Sequence, residues 1–118
     1  EMYRRLIDRH ATSPRLAAAL LGAARLEDRL KHHEAAARLY ERLAKEFPKL
    51  PERDVVLYNR GWVLRELGQT AEADRQFEEL HAKHPQSRYW PDTVYRLAER
   101  ALKSGDRQRA KKLLDRAA

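Results

Sequence analysis

Residues 60–85 of the chain read RGWVLRELGQTAEADRQFEELHAKHP, a helix-forming stretch that nevertheless contains glycine at positions 61 and 68. A glycine inside a helix costs about 1 kcal/mol relative to alanine, so the absence of a side chain must be useful at both places. Gly61 lies within the helical pattern, which favours close contact with a second helix. Gly68 comes after that pattern, where a left-handed residue closes a helix end without steric cost.

This stretch belongs to a unit that recurs along the whole chain. A shift of 37 residues aligns Ala36 with Ala73 and Ala110. The same shift aligns Leu20, Leu57 and Val94; Tyr40, Phe77 and Leu114; Leu43, Leu80 and Ala117; and places Tyr3 and Leu6 over Tyr40 and Leu43. Repetition at such a period indicates units that pack on their sequence neighbours. We divide the chain into a preceding half-unit at 1–12 and repeats at 13–50, 51–87 and 88–118.

Each repeat is predicted to form two helices. Apolar residues at i, i+3, i+4 and i+7 predict first helices at 13–30, 53–67 and 91–103, and second helices at 33–47, 70–83 and 107–117. Short polar turns at 31–32, 68–69 and 104–106 join the members of each pair. No window alternates with period two, so no strand is expected. The half-unit, with Tyr3, Leu6 and Ile7, is predicted to be the trailing second helix of an earlier pair.

Small residues recur where paired helices should approach each other. They are Ala24, Gly61 and Ala98 in the first helices, and Ala36, Ala73 and Ala110 in the second helices. We expect Tyr40, Phe77 and Leu114 to be the large side chains that fill the space between neighbouring pairs. A large residue at Gly61 or Ala73 should force the helices apart, at a cost of about 1–3 kcal/mol.

Composition excludes several classes of function. The 118 residues contain no cysteine, hence no disulfide or thiol chemistry, and the longest apolar stretch, at 16–24, is too short to span a membrane. The five histidines lack a third ligand, no glycine-rich phosphate loop is present, and the carboxylates are scattered over helix faces. We therefore predict no catalytic residues, no cofactor and no metal. The net charge of +7 favours acidic partners, but the basic residues alternate with acids, which does not favour nucleic-acid binding.

The residues Leu57, Gly61, Leu64, Gly68, Ala73, Phe77, Leu80 and Pro85 together resemble the signature of the tetratricopeptide repeat. The resemblance implies an all-α fold, a right-handed superhelical solenoid of antiparallel helix pairs, with about three repeats and a preceding half-repeat. The third repeat keeps Gly105 and Ala110 but has Ala98 for the first glycine. The first repeat departs most, with Ala24 and Lys31 at the two glycine positions and Glu27 at a usually apolar one.

The connections between repeats, at 47–51 and 84–92, are longer than in the common 34-residue repeat. They are similar to the linkers of bacterial envelope-associated tetratricopeptide proteins, including assembly lipoproteins and division or Tol-associated factors. This resemblance implies a location in the cell envelope or periplasm, with the cytoplasm as the alternative. Neither end resembles a finished cap, so the chain is expected to be part of a longer protein or to self-associate through its ends.

The resemblance also implies that the first helices line a concave surface where ligands usually lie. The predicted partner-binding residues point away from the core of each pair; they are Leu21, Arg25, Arg29, Tyr58, Asn59, Trp62, Arg65, Tyr95 and Arg96. Aromatic and arginine residues dominate binding hot spots, and arginine can bind a carboxylate through two hydrogen bonds. We therefore expect an extended peptide or protein segment with acidic groups. Alternatively, the tyrosines pack between neighbouring first helices, and the arginines pair with Asp28, Glu66 and Glu99.

Some tetratricopeptide domains bind a terminal carboxylate with five positions spread over three repeats. Asn59 and Arg96 match two of those positions, whereas Leu21, Arg25 and Asp92 occupy the others. Because Asp92 reverses the expected charge, this clamp is not favoured. Two other functions stay open: a structural spacer or self-association segment of a larger solenoid, and a binder of acidic polymers or nucleic acid through net positive charge.

Overall fold

The computed structural model describes residues 14–117. Its helices are α1 Pro14–Arg29, α2 His33–Glu46, α3 Arg53–Glu66, α4 Thr70–Lys83, α5 Trp90–Lys103 and α6 Arg107–Ala117. Over this range all regular secondary structure is helical, as the periodicity predicts, and the helix ends agree with the predicted ones to within one residue. The predicted trailing helix at 1–12 lies outside the described residues.

Consecutive helices pack against one another from α1 through to α6. The pairs α1–α2, α3–α4 and α5–α6 correspond to the three predicted repeats. The contacts of α2 with α3, and of α4 with α5, join each pair to the next. The chain is therefore an all-α solenoid of helix pairs.

The three turns within the pairs have the same backbone conformation. Lys31, Gly68 and Gly105, which are 37 residues apart, have φ values of 64°, 79° and 86°. In the first turn the backbone amide of His32 donates to the carbonyl of Glu27 at 2.8 Å. The backbone amide of Lys31 donates to the carbonyl of Asp28 at 2.9 Å. This is the hydrogen-bond pattern of a Schellman helix end. Lys31 therefore adopts the left-handed backbone conformation, which costs a residue with a Cβ about 1–2 kcal/mol. The second and third repeats have glycine at the equivalent position.

Gly61 of α3 lies directly against the ring of Phe77 of α4. A Cβ atom at this position would lie 2.7 Å from Cε1 and Cζ of Phe77. Phe77 and Ala73 on α4 are almost completely buried, as are Ala24 and Ala98 at the positions equivalent to Gly61. The prediction that small residues permit close helix contact is confirmed.

The apolar core consists of two clusters that meet at α3. The first cluster joins α1 and α2 to Val56 and Val63 of α3. The second cluster joins Leu64 of α3 to α4, α5 and α6, with Phe77 among its members. Successive residues of α3, Val63 and Leu64, therefore belong to different clusters.

The prediction that Leu114 belongs to the core is wrong. Leu114, expected to fill space like Tyr40 and Phe77, is 40% exposed, whereas its neighbour Leu113 is 3% exposed. Leu113 faces the second cluster. Leu114 lies on α6, after which residues 14–117 contain no further helix that could cover it.

Candidate functional site

The nine predicted partner-binding residues all lie on the first helices α1, α3 and α5. We refer to these nine residues as the first-helix surface. Positions 37 residues apart occupy equivalent places on successive first helices, so Arg25, Trp62 and Glu99 form one row and Leu21, Tyr58 and Tyr95 form another. Each row therefore has one residue in each of the three repeats.

Two guanidinium groups lie close to the indole of Trp62. The Cζ atoms of Arg65 and Arg96 lie 5.2 Å and 5.1 Å from the centre of its ring system, within the range of cation–π attraction. The indole is half-buried and meets the ring of Phe77 edge-on, with 6.1 Å between centroids. Trp62 therefore does not point wholly away from the core, and through Arg96 it connects the second repeat to the third.

Tyr58 is held by residues of the following repeat. Its ring stacks on Tyr89 with 4.3 Å between centroids and 15° between planes, and its hydroxyl donates to Oδ2 of Asp92 at 2.7 Å. Burial, followed by this hydrogen bond, raises the pKa of Tyr58. Sequence reasoning did not identify Tyr89 as a partner, because it lies in the connection between α4 and α5. Tyr58 therefore packs between neighbouring repeats, which is the alternative to partner binding given above for the tyrosines.

Tyr95, 37 residues after Tyr58, has a different environment. Its side chain is 65% exposed, and its ring contacts no other aromatic ring within residues 14–117. Leu21, at the equivalent place in the first repeat, is partly buried against the first cluster, and Asn59 is half-buried. Of the two predicted tyrosines, Tyr95 is therefore the more exposed.

The arginines of the first-helix surface differ in their pairing. Arg96 is shared between Asp92 at 3.4 Å and Glu99 at 3.5 Å. Within residues 14–117, Arg25, Arg29 and Arg65 have no carboxylate partner. The arginines that do reach a carboxylate elsewhere in this range are Arg38, Arg42, Arg53, Arg60, Arg75, Arg100 and Arg109. The predicted pairing of the surface arginines is thus found for Arg96 with Glu99 and not for Arg25, Arg29 or Arg65.

The histidines have structural surroundings. His32 lies 2.9 Å from Glu27, and His33 lies 3.6 Å from Asp28. His81 stacks on Trp90 with 5.5 Å between centroids, and its carbonyl accepts a hydrogen bond from the Trp90 indole at 3.0 Å. Burial lowers the pKa of His81. Within the part of the chain that the structure describes, no group of three or more candidate ligands could hold a metal ion.

The helices of residues 14–117 include none with the length and apolar character needed to cross a bilayer.

A model of the tetratricopeptide repeat matches residues 18–49 and 55–87, slightly more than half of the chain. The two matched segments begin 37 residues apart, which is the period of the internal repeat. The chain belongs to the tetratricopeptide repeat family. These repeats are generally protein–protein interaction modules, and the family is typically a non-enzymatic scaffold. No curated protein matches the chain.

Proposed function

We propose that this tetratricopeptide repeat chain is a non-catalytic scaffold that binds an extended peptide or protein segment along its first-helix surface, in a concave groove. The observation that favours this is the cluster at Trp62, where the guanidinium groups of Arg65 and Arg96 lie 5.2 Å and 5.1 Å from the centre of the indole. Arg25, Arg29 and Arg65 of the same surface pair with no carboxylate among residues 14–117, a property shared by Arg88, Arg107 and Arg116 outside it.

Acidic groups on the partner would supply the missing counter-charges. A bidentate arginine–carboxylate pair is stronger and more directional than a neutral hydrogen bond. Trp62 adds a broad apolar surface beside Arg65, and Tyr95 adds a second exposed ring one repeat later. Aromatic and arginine side chains of this kind contribute most of the binding energy in protein interfaces. Tyr58 and Asn59 serve mainly to shape the wall between these groups.

The test is a display library of random peptides selected against the purified chain, followed by affinity measurements on the selected sequences. We expect enrichment of Asp and Glu, and a loss of affinity of about tenfold or more on Trp62→Ala, the size of loss typical for a hot-spot residue. Arg65→Ala should also weaken binding. Arg75→Ala is the matched control, because Arg75 is exposed on the second helix α4 and pairs with Glu72.

Three outcomes would contradict the proposal. If the selected peptides were not enriched in Asp and Glu, the arginines of the first-helix surface would have no role in binding acidic groups of a partner. Equal losses for Arg65→Ala and Arg75→Ala would indicate a general charge effect rather than this surface. Binding of acidic polymers with a steep salt dependence and no sensitivity to Trp62→Ala would favour the alternative of a polyanion binder.

The spacer alternative makes a different prediction. A segment that only stacks on further repeats would select no peptide but would associate reversibly as its concentration rises. Sedimentation at several concentrations separates this behaviour from peptide binding by a monomer.

A further inference from the structure

The first residue of α3 and the first residue of α5 make the same contact with the helix before them. Arg53, at the start of α3, donates from Nη1 to the carbonyl of Ala44 at 3.1 Å. Its guanidinium also pairs with Glu79 of α4 at 2.6 Å. Trp90 stands 37 residues after Arg53 and donates from its indole to the carbonyl of His81 at 3.0 Å. The third repeat therefore keeps the hydrogen bond to the backbone, although a different side chain makes it.

The third repeat does not keep the ion pair. The residue 37 positions after Glu79 is Arg116 of α6, so a basic residue replaces the acid where Trp90 replaces Arg53. Arg116 has no carboxylate partner among residues 14–117. At this place the second repeat has a carboxylate that pairs with an arginine, whereas the third repeat has an arginine without a carboxylate.

A cavity of about 600 Å³ lies beside Arg116, between α4 and α6. We call it the α4–α6 cavity. Lys112, one turn before Arg116, also lines it and likewise pairs with no carboxylate among residues 14–117. His81 lines it from α4, and its Nε2 atom is buried without a hydrogen-bond partner in the same range. The other lining residues are Asp106, Gln108, Arg109, Leu113 and Asp115.

Other charged groups around the cavity are already engaged. Arg109 pairs with the carboxylate of Glu78 at 2.6 Å and 2.9 Å, and Asp106 accepts a hydrogen bond from the backbone amide of Arg109 at 3.1 Å. Asp115 makes no ion pair among residues 14–117, and its charge opposes that of the two unpaired basic residues. Helix α6 as a whole has five basic residues and one acidic residue, so its field favours an anion.

We propose that the α4–α6 cavity binds a phosphate group, at a site separate from the first-helix surface. A phosphate monoester carries a charge of about −1.5 to −2 at pH 7 and has three strong acceptor oxygens. That charge matches the two unpaired positive charges of Lys112 and Arg116, and a guanidinium can bind phosphate through two parallel hydrogen bonds. The Nε2 atom of His81 adds a third donor in the tautomer that carries its proton there.

The test is a titration of the 118-residue chain with inorganic phosphate at constant pH, followed by NMR of the histidine rings. Sodium chloride at matched ionic strength is the reference titration. We expect a saturable shift of the His81 ring resonances with phosphate and not with chloride. The rings of His32 and His33, at the turn between α1 and α2, should not shift.

Two double variants test whether the cavity or the overall charge of α6 binds the anion. Lys112→Gln with Arg116→Gln should weaken phosphate binding about tenfold or more, the loss expected for a charged hydrogen bond. Arg107→Gln with Lys111→Gln is the matched control, because it removes the same charge from exposed residues of α6 that do not line the cavity. Asp115→Asn should tighten binding about two- to fivefold, because it removes a like charge from the lining.

A parallel titration with a short phosphoserine peptide separates two sources of the phosphate group. Tighter binding of this peptide than of inorganic phosphate would assign the site to a phosphorylated protein, and equal or weaker binding would assign it to free phosphate.

Three results would overturn the proposal. One is the absence of a His81 shift with phosphate beyond that with chloride. Another is an equal loss of binding in the two double variants, because the anion would then be attracted by α6 in general. The third is unchanged or weaker binding in Asp115→Asn. Helical content and melting temperature, measured on the same samples, show that the variants are folded.

Discussion

Replacing Gly61 with alanine adds a single methyl group between α3 and the ring of Phe77 on α4. That carbon would lie 2.7 Å from two ring atoms of Phe77 and 3.1 Å from a third. Since non-bonded carbons prefer about 3.5–4.0 Å, the ring or one helix must move. Phe77 has little room for this, because it is 1% exposed and has Tyr58 and Trp62 as edge-on neighbours.

The expected size of the effect is the difference between two terms. Alanine in place of glycine stabilises a helix interior by about 1 kcal/mol. Overpacking a filled core costs about 1–3 kcal/mol. We therefore expect Gly61→Ala to lower the free energy of unfolding by about 0–2 kcal/mol. The same substitution at a helix position with free space around it should instead raise the free energy of unfolding by about 1 kcal/mol.

The chain offers such a free position in Gly22. It also lies inside a helix, α1, and nothing stands within 4 Å of a Cβ added there. Gly22→Ala should raise the melting temperature by about 4 °C for each kcal/mol gained. The difference between the two variants, measured by thermal and urea unfolding, isolates the contact with Phe77 from the helix propensity.

A double substitution then tests the cause. Phe77→Leu removes the ring atoms closest to position 61, so Gly61→Ala should be less damaging in that background than alone. If Gly61→Ala stabilised the chain as much as Gly22→Ala, or if Phe77→Leu left its effect unchanged, the close-contact explanation would be refuted.

Three further predictions concern a buried phenol, a turn and a histidine. Tyr40→Phe should preserve or raise the melting temperature, because burial raises the pKa of this phenol to about 12 and its hydroxyl has no hydrogen-bond partner within residues 14–117; a loss above about 1 kcal/mol would contradict this. Gly68→Ala should cost about 1 kcal/mol in urea unfolding, because its φ of 79° disfavours a Cβ. For His81, burial lowers the folded pKa below 6.5, so the unfolded chain binds the proton more tightly, and stability should fall as pH drops below 6.5. Urea midpoints between pH 7.5 and 5 should fall less steeply for His81→Gln; an identical pH dependence would count against this assignment.

Much of the fold could be predicted from the sequence because its determinants are local. The spacing of apolar residues fixes which side of each helix is buried, and Gly68 and Gly105 mark the ends of α3 and α5. The close contact at Gly61 was also predictable, since a glycine inside a helix needs a packing reason. The left-handed Lys31 was harder to foresee, because only its register with the two glycines indicates that conformation.

The surroundings of the candidate site were less predictable. Helical periodicity gives the side of α3 on which Tyr58 and Trp62 lie, but it does not say which distant residues meet them. Tyr89 reaches Tyr58 because the α4–α5 connection folds back along α3, and that path depends on tertiary contacts such as the hydrogen bond from Ser87 to Asp54. Leu114 was misassigned because its burial depends on whether a further helix packs on α6, and the spacing of apolar residues within α6 does not reveal that.

The division of the core at α3 has a consequence for cooperativity. A solenoid gains its stability from each pair and from the contacts between adjacent pairs, so we expect α5 and α6 to open while the first cluster stays intact. Trp62 and Arg96 stand on either side of the junction between the second and third pairs. A partner bound to both would couple the opening of α5 and α6 to its own dissociation. Such a partner would then be detectable as slower amide exchange in α6, a helix that contributes no residue to the first-helix surface.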